Sequence, residues 1–146
     1  MALIFTDPNP AGPFSDFQVK NTQEKVFKLT NANFSTGGVN TLVGALPADA
    51  SIISMTLWVK TQLAGGSISA ATISIGTSSG GTQFVNANTG AFNAAGVMAI
   101  LSPINNILQP YNIPYTTGDI QIWVNGTATT GNPTSGEMYL DIQYVR

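Results

Sequence analysis

The chain has 146 residues, seven acidic and five basic groups, and neither Cys nor His. Only 8% of it is charged, against about 25% in an ordinary soluble domain. Cys/His zinc and haem centres, thiol chemistry, disulfides and Ser-His-Asp catalysis are excluded, because their side chains are missing. A net charge of −2 argues against a nucleic-acid partner. No apolar run approaches the roughly 20 residues of a membrane helix, so no membrane partner is expected. The start, Met1 to Pro8, lacks the basic and long apolar regions of a signal peptide.

The 43% hydrophobic content is enough for one real core. Ser, Thr, Asn and Gln make up 48 residues, so the surface is covered largely by neutral polar groups. Half of the charges, Asp7, Asp16, Lys20, Glu24, Lys25 and Lys28, fall in the first 30 residues. The rest are Asp49, Lys60, Asp119, Glu137, Asp141 and Arg146. A free monomer is usually kept soluble by mixed charge. A body this neutral suits packing against copies of itself or against a scaffold.

Residues 1–20 read as an extended, Pro-rich N-terminal arm, and residues 21–146 as the folded domain. Pro8, Pro10 and Pro13 bar the arm from a helix or a central strand. Its Phe5, Phe14 and Phe17 need burial, either on their own domain or on a neighbouring subunit. With Lys20 they are the candidate partner-binding residues.

Beyond the arm the hydrophobic period is two, the period of a half-buried strand. Glu24–Thr30 and Val39–Ala45 are strand candidates. From Ser51 to Lys60, Ile53, Met55, Leu57 and Val59 share one face, and Ser54, Thr56, Trp58 and Lys60 the other. Ala71, Ile73 and Ile75 point one way in the next strand, Ile68–Ile75. Gly76–Gly81 is a loop, and Gln83–Val85 a brief strand. Asn86–Ala99 reads as a loop with one helical turn. Met98–Leu101 and Asn106–Leu108 are strand candidates split by Ser102-Pro103, and Pro110 and Pro114 bracket a bend. Ile120, Ile122 and Val124 point inward in Asp119–Asn125. Met138, Leu140, Ile142 and Tyr144 do so in Glu137–Val145. The polar stretch Gly126–Gly136 between these two reads as a long hairpin loop.

About eight short strands with turn-rich links predict an all-β fold: an antiparallel two-sheet sandwich, first of all a jelly roll. The lack of an internal repeat argues against a solenoid or propeller.

Catalysis would have to come from carboxylates, Lys, Tyr or Ser/Thr. Glu137 and Asp141 share a strand face about 13 Å apart, beyond the separation of a glycosidase pair; Asp119, at the start of the neighbouring strand candidate, is the further acid able to approach one of them. They read as surface acids, and no catalytic residue or enzyme activity is expected. Asp7 with Asn9, and Asp119 with Thr117, fall short of a calcium loop, and no metal or cofactor is expected. Gly76–Gly81 lacks the Lys and following helix of a phosphate loop. Asn33-Phe34-Ser35 and Asn125-Gly126-Thr127 match the glycosylation pattern, which arises easily by chance in an Asn/Thr-rich chain. Lys20, Lys25 and Lys28 form a solvated cluster or meet an acidic partner. Trp58 and Trp123 both sit in the polar phase of their strands. They are covered by the arm or a subunit, or form a sugar-stacking platform, or mark a bulge that turns the ring inward, or are exposed without a role.

The run Leu46-Pro47-Ala48-Asp49-Ala50-Ser51-Ile52-Ile53, its alternating strand to Lys60, and the later Ile73-Ser74-Ile75-Gly76-Thr77 resemble small virion proteins of tailed bacteriophages. The resemblance covers residues 40–80 and, more loosely, the strands Asp119–Asn125 and Glu137–Val145. It is greatest to jelly-roll capsid decoration, or cement, proteins. It implies a non-enzymatic homotrimer, made in the host cytoplasm, that binds the major capsid protein on the capsid surface and stabilises the head. It carries no catalytic residues. The arm, the neutral surface and the two Trp residues also fit a tail-fibre or spike module that binds host glycans. Two open Trp rings in one groove would favour the glycan reading, and burial under a protein would favour cement.

Overall fold

A computed structural model describes residues 22–88, 96–100 and 118–145, the strand 97–100 by its backbone alone. The arm, with Phe5, Phe14, Phe17 and Lys20, lies outside the described residues, as do the strand candidate at 106–108 and the bend at 110–114.

Nine strands are described: β1 Thr22–Thr30, β2 Phe34–Ser35, β3 Val39–Leu46, β4 Ser51–Ala64, β5 Ala70–Gly76, β6 Val85–Asn88, β7 Val97–Ile100, β8 Ile120–Thr129 and β9 Ser135–Val145. They form two sheets. One has the order β1-β9-β4-β7; the other has the order β2-β8-β5-β6, with β3 also paired to β8. Apart from the two-residue β2, successive strands alternate between the sheets, and only β5–β6 stays within one. First strand beside last, and successive crossings between two sheets, make the jelly-roll path.

The period-two reading places the core correctly in most strands. Met55, Leu57 and Val59 from β4 meet Met138, Leu140 and Ile142 from β9 on one inner face. Ile73 and Ile75 from β5, with Ile120, Ile122 and Val124 from β8, line the other. All of these are buried in one cluster, which Phe27, Leu29, Phe34 and Leu46 extend. Sheets with one apolar face each bury it only by packing face to face.

Four expectations are corrected. Ile53 does not join Met55, Leu57 and Val59. A bulge between Ile52 and Ser54 shifts the register, so Ile52 is buried and Ile53 is 50% exposed. Gly126–Gly136 is not a hairpin loop: β8 runs on to Thr129, and β9 belongs to the opposite sheet. A polar linker of that length serves a crossing between sheets as readily as a hairpin. The strand near Gln83 is Val85–Asn88, because Gln83 is used in the preceding turn, where its Oε1 accepts from the Thr77 N–H at 3.1 Å. The stretch Asn86–Ala99 contains strand residues at both ends, in β6 and β7, and residues 89–95 between them lie outside the described residues.

Close contacts fix two glycines. Gly44 sits at the bulge of β3, where a Cβ would come 2.4 Å from the Phe27 ring, so only Gly lets that ring close the core edge. Gly126 faces the parallel partner β2, and its Cβ would lie 2.1 Å from the Asn33 carbonyl oxygen.

Because β9 lies between β1 and β4, a cavity at its centre is felt by both neighbours and by the opposite sheet. Leu140→Ala is expected to cost about 2–5 kcal/mol. Gln143→Ala, on the exposed side of the same strand, should stay within about 0.5 kcal/mol. Urea midpoints of the two variants check this.

Candidate functional site

The outward residues of β1, β9 and β4 build one surface. β9 pairs with β1 so that Val26 opposes Asp141, and Lys28 opposes Tyr139. It pairs with β4 so that Thr56 opposes Asp141, and Trp58 opposes Tyr139. Partners in register point to the same face. Trp58 therefore stacks on Tyr139, with ring centroids 5.6 Å apart and planes inclined by 25°. Trp58 remains 43% exposed and Val26 49% exposed. Between the aromatic pair and the carboxylates of Glu24 and Asp141 lies a groove of about 480 Å³.

One end of this face is tied by charge. Glu137 accepts from Lys60 Nζ at 3.0 Å, pairs with Lys28 Nζ at 3.4 Å, and accepts the Tyr139 hydroxyl. The Tyr139 hydrogen bond first, then that of Lys60, with Lys28 assisting, hold the Glu137 carboxyl down to about 2. The same pairing raises Lys60. At the other end the environment is the reverse. Burial pushes the Asp141 carboxyl up, and the neighbouring Glu24 carboxyl adds to the rise. Asp141 Oδ1 is buried without a hydrogen-bond partner.

Trp123 sits on the outer face of the other sheet, between the inward Ile122 and Val124. Its indole N–H donates to Gln121 Oε1 at 3.0 Å, and its cross-strand partner is Leu42, which is 46% exposed. Trp58 and Trp123 thus keep their polar-phase positions, and neither is turned into the core. They lie on opposite outer faces, so the shared two-ring groove required by the glycan reading is not formed. None of the strands β2, β3, β5, β6 and β8 contains an Asp, Glu, Lys or Arg.

The remaining candidates are taken up by the fold. The expected approach of Asp119 to Glu137 or Asp141 gives way to Glu24, because Asp119 leads into β8 of the opposite sheet. Lys25 and Lys28 do not form a cluster. Lys25 donates to the Ala45 carbonyl, and Lys28 lies on the outer face with Glu137. In the Gly76–Gly81 loop, the N–H groups of Thr77, Gly80 and Gly81 are taken by Gln83, Asn40 and Ser78. Asn33 Oδ1 accepts from the Thr30 N–H and its amide donates to Thr41; the Asn125 amide donates to Asn40. Both amides of the glycosylation-pattern Asn residues are thus engaged within the fold. Among the described residues, no group of three or more Asp or Glu side chains is placed to hold a metal ion.

The two carboxylates give opposite pH dependences. Glu137 lies below its ordinary value of 4.5, so its stabilisation is complete above that pH and is lost as pH falls toward about 2. Asp141 lies above its ordinary value of 3.8, so its penalty is absent below that pH and sets in as pH rises through the raised value. Asp141→Asn supplies an N–H donor for Glu24 and is expected to stabilise at pH 7 by about 1 kcal/mol. That corresponds to about 2–4 °C in melting temperature. The gain should vanish below pH 3.8. Glu137→Gln should lower the melting temperature at pH 7 and flatten its fall in acid. Thermal melts of both variants from pH 2 to 7 check the signs.

Solved structures with a similar fold come from phage capsids. A chain of the cyanophage Pam1 capsid asymmetric unit matches with a TM-score of 0.56 and 17% identity, over 86% of this chain and 84% of that one. A chain of the capsid of Ralstonia phage GP4 matches with a TM-score of 0.52 and 18% identity, over 86% and 84%. No protein-family model matches the chain, and no curated protein matches it in sequence. At these identities the likeness is one of fold.

Proposed function

We propose that the chain is a non-enzymatic virion structural protein, a capsid decoration or cement protein. It binds the major capsid protein on the capsid surface as a homotrimer and stabilises the head. The observation that carries this reading is the uncharged five-stranded sheet, which exposes Leu42 beside a half-buried Trp123. Surfaces of free proteins are usually kept apart by mixed charge. A charge-free sheet bearing an apolar pair gains from being covered by another protein. The fold shared with chains of two phage capsids supports the same reading. Phe5, Phe14, Phe17 and Lys20 of the arm supply a second contact, with a neighbouring subunit. Repetition over many copies makes weak single contacts sufficient.

Attachment through an uncharged sheet has a recognisable signature. Purified protein should co-sediment with heads of the phage that encodes it, and occupancy should hardly change from about 50 to 500 mM salt, because screening acts on charges. Leu42→Ser with Trp123→Ser should reduce occupancy about tenfold or more, the effect of losing an aromatic anchor. Absence from the heads, or occupancy that collapses with salt, contradicts the proposal.

A further inference from the structure

Strand β1 ends its sheet, because the order is β1-β9-β4-β7. Which of its backbone groups face outward follows from the pairing. The Gly96 N–H donates to the Val59 carbonyl at 2.7 Å, so Val59 turns its backbone groups toward β7. Its cross-strand partner Met138 therefore turns its own toward β1, where it meets Leu29. Backbone groups alternate along a strand. Those of Leu29 and Phe27 thus face β9, and those of Glu24, Val26 and Lys28 face away from the sheet. The Thr30 N–H, in the same outward phase, donates to Asn33 Oδ1 at 2.8 Å and closes the edge at that end. Among the described residues, no backbone group pairs with Glu24, Val26 or Lys28 along this edge. β1 has neither a Pro nor a bulge in its register with β9, both of which commonly guard an open edge. Lys25 lies in the inward phase, but it is held on the Ala45 carbonyl and over the Phe27 ring instead of projecting past the edge.

An open edge of this kind is a template for a further strand. We propose that this strand is β1 of a second copy of the chain, running antiparallel, with Val26 opposite Val26. The choice rests on charge. A two-fold axis at Val26 sets Glu24 opposite Lys28 of the second copy, and Lys28 opposite its Glu24. These pairs all lie in the outward backbone phase, so each exchanges both N–H···O bonds. Opposite charges directly across a ladder stabilise it. Moving the axis to Lys25 or Phe27 keeps the hydrogen-bond phase and loses both charge pairs. Val26, 49% exposed, meets itself on the axis. Lys28 can make the contact: its side chain is 54% exposed, and Lys60 stays on Glu137 at 3.0 Å. Glu24 stands beside Asp141, and the described ion pairs are all made by Glu137. The second copy therefore brings Glu24 a counter-charge.

The chain's own segments complement the edge less well. The preceding arm can fold back through the usual hairpin loop of about two to five residues. In order of loop length, it then sets Pro13 opposite Lys28, Asp16 opposite Glu24, Pro13 opposite Val26, or Pro10 opposite Lys28. Pro cannot donate to a ladder, and facing carboxylates repel. Residues 101–117 follow β7 on the far edge of the sheet and contain no charged residue to match Glu24 and Lys28. A two-fold contact closes on itself. It therefore goes beyond the proposed homotrimer, joining a protomer of one trimer to a protomer of the next.

The chain has no Cys, so full-length Val26→Cys carries a single thiol. In the proposed pair the two Cα atoms at this position lie about 5.5 Å apart, within disulfide range. Glu24→Cys sets its two thiols about 13 Å apart along the strands, out of range. Val26→Cys should oxidise to a linked dimer at least about tenfold faster than Glu24→Cys, the advantage of a held geometry. A mixture of Glu24→Cys and Lys28→Cys should give the mixed dimer. Equal rates for Val26→Cys and Glu24→Cys overturn the proposal.

Hydrogen exchange at the Glu24, Val26 and Lys28 amides reads the unsubstituted chain. Protection should grow with protein concentration between about 1 μM and 1 mM, the range in which small interfaces associate. Val26→Pro removes an N–H that β9 does not use, so it should keep its urea midpoint and lose the protection. Glu24→Lys sets like charges across the pair and should weaken association about tenfold; it decides the matter if the Pro variant fails to fold. Protection that persists at nanomolar protein and in Glu24→Lys means that the chain's own segment covers the edge, and it overturns the proposal. Unprotected amides at millimolar protein also overturn it. No head is present in these experiments, so their failure is distinct from a failure to attach to heads.

Discussion

The strict alternation of β9 is the constraint on which both halves of the molecule depend. Its inward residues Met138, Leu140, Ile142 and Tyr144 are buried against the opposite sheet. Its outward residues Glu137, Tyr139 and Asp141 form the floor of the four-stranded face. A slip of one residue would exchange the two sets and place two carboxylates in the core. Pairing on both edges, to β1 and β4, holds that register. The Lys28–Glu137–Lys60 cluster bridges all three strands on the outer side.

Given that register, the two outer faces differ in kind. The four-stranded face has charged groups and a groove in which an aromatic stack stands beside two close carboxylates. The five-stranded face has no charged residue in its strands. Among the described strands, every charged residue therefore belongs to the four-stranded sheet. Uneven charge of this sort gives a module one face compatible with water and another suited to contact.

Much of the fold was legible in the sequence because a period of two is a local property. β4, β5, β8 and β9 each show it, and their core residues follow from it. What was not legible depends on pairing between distant segments. Ile53 is exposed because a bulge interrupts the count, and nothing in the run Ser51-Ile52-Ile53-Ser54 marks where the extra residue falls. The linker after β8 looked like a hairpin because its polarity and glycines suit any turn; only the sheet order shows that it crosses between sheets. The outer-face Trp residues were identifiable from their phase. The stack with Tyr139 and the meeting of Glu24 with Asp141 were not, since both depend on cross-strand register. Charged residues near a strand end otherwise look like ordinary solvated side chains.

The proposed function requires the neutral five-stranded sheet to be the face buried against a phage head. Electron cryo-microscopy of virions of the encoding phage tests it most directly. The prediction is density for this sandwich on the head, with Leu42 and Trp123 against the shell and the Glu137 cluster toward solvent. Density with the charged four-stranded sheet against the shell, or none on the head, would contradict it.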